Sequence, residues 1–408
     1  MGIRVSTNQI QMGAINAMLD QQDSLARVQQ QVATGKRVLA PSDDPVAVAQ
    51  SINLQDALRR TEQLQRNIDN AQGRLSLEEG VLDGVTTILQ RVRELTVAAN
   101  NATQTNDTRS YIAEEIAQLN DELVGLANTM DSDGEFLFAG SKGRFRPFSK
   151  DENSNFLYYG DDTQRYVRVG PRRTVAINDT GTQVFRKIRE GNGTFIITES
   201  KNNTGSGVLD QGSSKGHYDF GVYALIMEDR DPINPNAPLT YKVIDDKGKI
   251  VVDSTPFSEG NAITFEGVQL FMLGEPEPGD FYVIRPSQHQ DIFTTLQKLT
   301  NALKDSRNSA ADHGFLHNEV NRALASIDTA MGNILDVRAS IGTRLNALES
   351  QRSINEAFSI QLKELISKIE DLDFGQAVSE LNGRKVGLEA SQKAFVKVQD
   401  ISLFNHLY

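Results

Sequence analysis

Two stretches of this chain place a mostly apolar residue at every seventh position, one before residue 100 and one after residue 310. In the first, Ala47, Leu54, Thr61, Ile68, Leu75, Leu82 and Leu89 keep the spacing, and Ala57, Leu64, Ala71, Val85, Val92 and Ala99 form a companion row. Glu78 is the one charged intruder. In the second, Val320, Ile327, Ile334, Ile341, Leu348, Asn355, Leu362 and Ile369 repeat, with Leu324, Met331, Leu345 and Ile366 alongside and Arg338, Arg352 and Ser359 interrupting. A sustained seven-residue period is a helical seam that needs a facing seam. Asp44 is placed to cap the first helix and Pro45 to be its first residue. A helix from there to Ala99 is ~80 Å long, more than a compact globule needs. The economical solution is an antiparallel pair packed as a rod. Asn355 has two readings: a buried amide that fixes register, or a wet residue where the seam turns outward between Arg352 and Ser359.

The chain ends carry the same signal in shorter form. Phe374, Leu381, Leu388 and Phe395 are seven apart, and Val378, Ser391, Ala394, Val398 and Ile401 widen the stripe. Asp373 is a candidate N-cap, with Gln376 in capping-box position. At the other end Ile3, Ile10, Ala14, Ala17 or Met18, Leu25, Val28 and Val32 follow a helical period that Gln21 interrupts. Each stripe needs cover. One end buries part of the other, and the remainder requires another molecule. The expected assembly surface comprises Ile10, Ala14, Leu25, Val28, Val32, Leu381, Leu388, Phe395, Val398, Ile401, Leu403 and Phe404. A lone helix pair offsets backbone entropy poorly, so residues 1–40 and 373–408 are expected to become fully ordered only on assembly.

Between them lie shorter helices expected at Tyr111–Met130 and Asp291–Leu303, with a turn over Asn100–Asp107. Residues 141–286 change character. They hold nine of the eleven prolines, 16 of the 31 glycines and 17 of the 27 aromatic residues. Short alternating segments recur, at Tyr166–Val169, Thr194–Thr198, Leu239–Val243, Ile250–Val252, Val268–Met272 and Phe281–Ile284, with a hairpin-like turn at Asp246–Lys249. The expected fold is α+β: an elongated antiparallel coiled-coil-like helical rod built from both chain ends, with an inserted antiparallel β domain. The expected division is residues 1–40 with 373–408 as a terminal assembly domain, 41–140 with 287–372 as the rod, and 141–286 as the insert, dispensable for folding of the rod.

Composition narrows the function. The net charge of −12 disfavours a nucleic-acid partner. With no cysteine there is no disulfide and no thiolate metal site. No apolar run is long enough to span a membrane, and the first residues lack the apolar core of a cleaved signal peptide. His313 and His317 have ligand spacing, but no third ligand is evident, and they are expected in a solvent-exposed loop at a helix start. Asp151, Asn153, Asn155 and Asp162 mimic a calcium loop, yet Phe156 stands where the turn needs glycine. No catalytic grouping is found, so no metal, no cofactor and no enzymatic activity are expected. Two classes remain: a structural subunit of a helical assembly, and an adhesin-like surface protein on a helical stalk. A stalk does not need both chain ends apolar, which favours the subunit.

Three stretches carry a resemblance: Thr34-Gly-Lys-Arg-Val-Leu-Ala-Pro-Ser-Asp-Asp-Pro-Val-Ala, Phe136-Leu-Phe-Ala-Gly-Ser, and Ala390-Ser-Gln-Lys-Ala-Phe through Ser402-Leu-Phe-Asn. With the helical ends they make the chain similar to the flagellin superfamily over roughly 1–140 and 290–408. The Pro-Ser-Asp-Asp-Pro run and the Ser-Leu-Phe-Asn ending look like the hook–filament junction branch rather than filament flagellins, which remain the alternative. The resemblance implies polymerisation with itself, placement between hook-associated protein 1 and flagellin, and a position on the extracellular flagellum. It also implies passage through the flagellar export apparatus with an export chaperone and without a cleaved signal.

Overall fold

The computed structural model describes residues 7–101, 103–152, 155–228, 238–305 and 309–404. Six α-helices account for both ends of the chain: α1 (Thr7–Thr34), α2 (Pro45–Ala99), α3 (Asn106–Ala127), α4 (Ile292–Lys304), α5 (Ala310–Glu370) and α6 (Phe374–Phe404). The chain divides into two compact units, Met1–Asn67 with Ser350–Tyr408, and Ile68–Glu349.

The second unit is built on the facing seams of α2 and α5. Ile68, Leu75, Leu82 and Leu89 on α2 and Val320, Ile327, Ile334, Ile341 and Leu348 on α5 are all buried in one core. Each such side chain contributes about 1.5–3 kcal/mol. Arg93 donates to Asp328 at 2.7 Å, and Arg338 reaches Glu79 at 2.6 Å and Asp83 at 3.0 Å, so the helices run antiparallel. The buried α2 hydroxyls of Thr86 and Thr96 bond to carbonyls one turn back, which satisfies them inside the seam. Glu78 points into the core. One of its oxygens accepts the Asp179 amide at 3.0 Å, and the other has no partner among the described residues. Burial, with Asp179 adding to it, holds the carboxyl well above the ordinary value of 4.5.

Helix α4 lies where expected, capped by Asp291, whereas α3 starts and stops earlier than expected and α5 already covers His313 and His317. Helix α3 begins at Asn106 because the Thr105 hydroxyl accepts from the Thr108 amide at 3.3 Å. The turn-like run Asn100–Asp107 therefore ends in a cap. Helix α5 begins at Ala310, with Ser309 capping Asp312 at 3.1 Å, and it runs through Gly314. A β-carbon at Gly314 would lie 3.2 Å from the backbone of Ser206, so glycine here allows close packing. His313 and His317 thus stand on a helix, not in a loop. The half-buried His317 is hydrogen-bonded to Asn100, and burial lowers its pKa.

Among the described residues of 129–290 every strand pairing is antiparallel, a π-helical turn stands at Thr182–Arg186, and the segments pack in two places. The first part joins the helical core: Phe138, Phe148, Val175, Val184, Phe185 and Ile188 are buried there. Phe293 of α4 is the hub, with ring centroids 5.1 Å from Phe148, 5.3 Å from Phe156 and 5.6 Å from Phe185. In the Phe136–Ser141 motif, Leu137, Phe138 and Ala139 are buried. Gly140 has φ +69° and lies so close to Asp161 that no β-carbon fits.

The later part is a sandwich with its own core. Five strands, Ile250–Pro256, Thr240–Asp245, Tyr223–Glu228, Phe281–Pro286 and Phe195–Glu199, lie side by side in that order. The facing sheet pairs Ala262–Phe265 with Val268–Leu273, which also pairs with Val208–Leu209 and Ser213–Ser214. Tyr223, Leu225, Met227, Val243 and Ile284 from one sheet meet Ile263, Phe265, Leu270 and Met272 from the other. The chain enters and leaves at one point. The Ser287 amide donates to Thr194 at 3.0 Å, and its hydroxyl donates to Glu190 at 2.7 Å. Half-buried Arg322 on α5 pairs with Glu199, which fastens the sandwich to the helices.

Two outcomes follow from these cores. Joining Gly191 to Ser287 through a short linker should leave a chain that melts cooperatively by circular dichroism. Joining Gly140 to Gln288 removes Phe148 and Phe185, truncations of a class worth about 3–5 kcal/mol each, and should abolish the cooperative transition. Equal behaviour of the two deletions would contradict the assignment of residues 141–190 to the helical core. For Glu78, the folded value lies above the unfolded one, so its stabilising contribution is complete below the ordinary glutamate range and is lost as pH rises through the raised value. Glu78→Gln keeps an acceptor for Asp179 and cannot ionise. The melting-temperature difference between wild type and Glu78→Gln should therefore move against wild type as pH rises; a difference independent of pH rules this out.

Candidate functional site

The first unit brings the two chain ends together. Helices α1 and α6 pack on each other. Among the described residues Val28 and Ala377 are the buried ones of the pair, while Ala14, Leu25, Val32, Leu381, Leu388 and Phe395 are half-buried. The side chains of Ile10, Val398, Ile401, Leu403 and Phe404 lie outside the described residues. The helices approach closely at Gly387, where a β-carbon would meet the Gln21 amide at 2.9 Å. Gln21, which interrupts the apolar stripe of α1, thus sits opposite a residue without a side chain.

Pairing leaves much apolar surface uncovered. On α1, Met12, Ile15 and Leu19 are 61%, 40% and 53% exposed. Their spacing of three and four puts them on one face. On α6, Val378, Val386 and Val396 are 44%, 65% and 55% exposed. A single exposed valine needs no explanation, but a row of large apolar residues at helical spacing along both helices does.

The pair is anchored by the loop between α1 and α2. Gly35 ends α1 in the left-handed conformation, φ +70°, and its amide closes on Gln31 at 2.8 Å. The next two residues run antiparallel to the end of α5: the Arg37 amide donates to Glu370 at 2.7 Å and the Leu372 amide to Gly35 at 2.9 Å. The Arg37 guanidinium also donates to the Ile369 carbonyl at 3.0 Å, which satisfies a C-terminal helix carbonyl. Glu370 is the centre of the knot. Its carboxylate accepts from Lys36 at 3.0 Å, Gln55 at 2.7 Å and the Ser51 hydroxyl. These donors hold it below the ordinary glutamate value, the Ser51 contact most. Asp43 then accepts the Leu39 and Ala40 amides at 3.2 and 3.0 Å, and Asp44 caps α2 through the Ala47 amide at 3.0 Å. Asp373 caps α6 through the Gln376 amide at 3.1 Å.

The anchor residues Lys36, Arg37, Ser51, Gln55 and Glu370 were not legible as a group. The pairs are more than 300 positions apart, and one sequence holds no signal for them. Asn355 is buried, and its side-chain oxygen accepts from Gln351 at 2.9 Å, so of its two readings the buried amide holds. Asp151 of the calcium-like run turns its oxygens to Asn155, at 2.7 Å to the amide and 3.0 Å to the side chain, in a hairpin; Asn153 lies outside the described residues. Among those residues no helix is long and apolar enough to cross a membrane.

Comparison with known proteins addresses this architecture directly. Residues 5–143 match the bacterial flagellin N-terminal helical region, and residues 324–407 the bacterial flagellin C-terminal helical region. Flagellar hook-associated protein 3 of Escherichia coli is 26% identical over 402 residues, 98% of this chain and 99% of that one. The crystal structure of flagellar hook-associated protein 3 from Legionella pneumophila is 31% identical, covers 78% of this chain and 98% of its own, and superposes with a TM-score of 0.74. Polar flagellin F of Vibrio parahaemolyticus is 29% identical over 144 residues only, 35% of this chain and 38% of that one. Full-length similarity, together with the helical ends around a central antiparallel β region, shows that the chain belongs to the flagellar hook-associated protein 3 family, structural proteins of the hook–filament junction of the bacterial flagellum.

Proposed function

We propose that this chain polymerises with copies of itself through its terminal helices, between hook-associated protein 1 on one side and flagellin on the other. The observation that carries the reading is the row of exposed apolar residues on α1 and α6, which one chain cannot cover alone. The interface consists of Ala14, Leu25, Val28, Val32, Leu381, Leu388 and Phe395, together with Ile10, Val398, Ile401, Leu403 and Phe404. Neighbouring subunits cover the outward stripe of Met12, Ile15, Leu19, Val378 and Val386. Residues 1–40 and 373–408 act as the assembly domain, 41–140 and 287–372 as the rod, and 141–286 as the insert, whose part up to Glu190 packs into the helical core. The chain reaches the extracellular flagellum through the flagellar export apparatus, escorted by an export chaperone. It works as a structural subunit without metal or cofactor, not as a catalyst.

Ordering of the ends is coupled to assembly. Two helices without a third layer bury too little surface to offset ~1–2 kcal/mol of backbone entropy per residue, and the neighbours supply the missing layer.

Exposed and half-buried positions separate the two roles. In a deletion strain, electron microscopy should show hooks without filaments and flagellin in the medium. Complementation with Leu19→Asp or Val386→Asp should fail to restore filaments. Those substitutions touch uncovered surface and should leave the melting of the purified chain within about 0.5 kcal/mol of wild type. Leu388→Asp should block filaments too. Filaments of normal number and length with Leu19→Asp and Val386→Asp together would refute the outward stripe as an interface.

A further inference from the structure

The central region carries two patches of opposite charge, each with an apolar centre. Between Ser141 and Glu190 eleven Lys or Arg stand against six Asp or Glu, in a chain whose net charge is −12. Between Gly191 and Pro286 the balance reverses, seven against fourteen.

The basic patch is assembled by Glu135. Its carboxylate accepts from Arg165 at 2.6 Å, and the next amide, of Phe136, donates to the Gly143 carbonyl at 2.7 Å. This sets the Phe145 loop beside the hairpin of Tyr166–Arg168 and Thr174–Ala176. Val167 and Val175 turn inward, which leaves Tyr166 outward at 63% exposure; Phe145 is 66% exposed. Exposed Arg144 and Arg146 flank Phe145 in the chain, and exposed Arg172 and Arg173 stand in the turn of the hairpin that carries Tyr166.

The acidic patch is the outer face of the smaller sandwich sheet. Along Val268–Leu273, Val268, Leu270 and Met272 fill the core, while Phe271 and Leu273 stand outward at 37% and 56% exposure. Asp210 sits beside Phe271, its carboxylate accepting the Phe271 amide at 2.9 Å. Glu259 accepts the Gly274 amide at 2.8 Å, next to Leu273, and exposed Glu275 follows.

We infer that these are the two sides of one contact: the acid-rimmed strip at Phe271 and Leu273 in one copy receives the arginine-rimmed aromatic patch at Phe145 and Tyr166 of the next. The inference rests on the reading of the chain as a self-assembling subunit, but not on its terminal helices. A contact between two different patches is heterologous and propagates as a ring or helix. Apolar centres with opposite charged rims fit such a contact, the rims supplying orientation and encounter rate and the centres burying surface. Either patch facing another copy of itself would place like charges together.

The chain has no cysteine, so an introduced pair is unique. Purified soluble Tyr166→Cys and Phe271→Cys chains, both exposed changes checked by circular dichroism, are mixed under mild oxidation at low salt. A disulfide-linked heterodimer should form several-fold in excess over either homodimer, and its yield should fall as salt screens the rims. Arg172→Glu with Arg173→Glu in the first chain should lower the yield, and Glu259→Lys with Glu275→Lys in the second should restore it. Heterodimer at or below the homodimer yield, or yields indifferent to salt and to both charge reversals, would overturn the contact. Because the mixture stays soluble, its result is independent of whether α1 and α6 polymerise.

Discussion

Helix α2 cannot bury its own seam. Its row from Ile68 to Ala99 is apolar along one face, and a single helix has nothing to set against it. Everything else in the second unit follows from meeting that need with α5. Because the two helices come from opposite ends of the sequence, the intervening chain must leave the first and return to the second. The Phe138–Ile188 segment and α4 fill the side of that core, with Phe293 as their common contact. The sandwich has its own apolar interior and one entry point, which is why it tolerates an exposed outer sheet face and an acidic surface.

The same requirement, met only in part, makes the first unit functional. Helices α1 and α6 pair, but Val28 and Ala377 are the only residues of the paired faces that are buried among those described. A two-helix layer leaves both outer faces wet. The polar knot at Glu370 compensates by fastening the α1–α2 loop to the end of α5 through two backbone bonds, Arg37 to Glu370 and Leu372 to Gly35, and through charged donors. In physical terms the Thr34–Pro45 motif is a set of helix ends that satisfy one another: Gly35 closes α1, Arg37 closes α5 and Asp44 opens α2. The uncovered stripes are then held at a fixed place and left available to neighbours.

Much of this was written in the sequence. Heptad spacing located α2 to the residue because Asp44 and Pro45 mark one end and polar turn residues the other. It also located the seam of α5, the antiparallel β character of the middle and the N-cap of α6. What it could not show depended on partners far away. Gly314 reads as a helix breaker until Ser206 is seen against it, and Asn100–Asp107 reads as turn because Thr and Asn serve turns and caps alike. Phe148 and Phe185 look like β-domain residues, and only the tertiary packing assigns them to the helices. Tyr223–Glu228, the middle strand of the larger sheet, was missed because Ala224 and Ile226 blur its alternation. In the assembly surface the periodicity of the half-buried residues was visible, whereas which apolar positions stay uncovered was not.

The central claim is that the α1–α6 pair is incomplete in a single chain and completed by neighbours. Hydrogen exchange followed by mass spectrometry on the free chain, and again on the assembled junction, tests this most directly. Amides from Leu381 to Val396 should be weakly protected in the free chain compared with those from Ile68 to Leu89, and should gain strong protection on assembly. Protection of Leu381–Val396 in the free chain equal to that of Ile68–Leu89 would contradict the account.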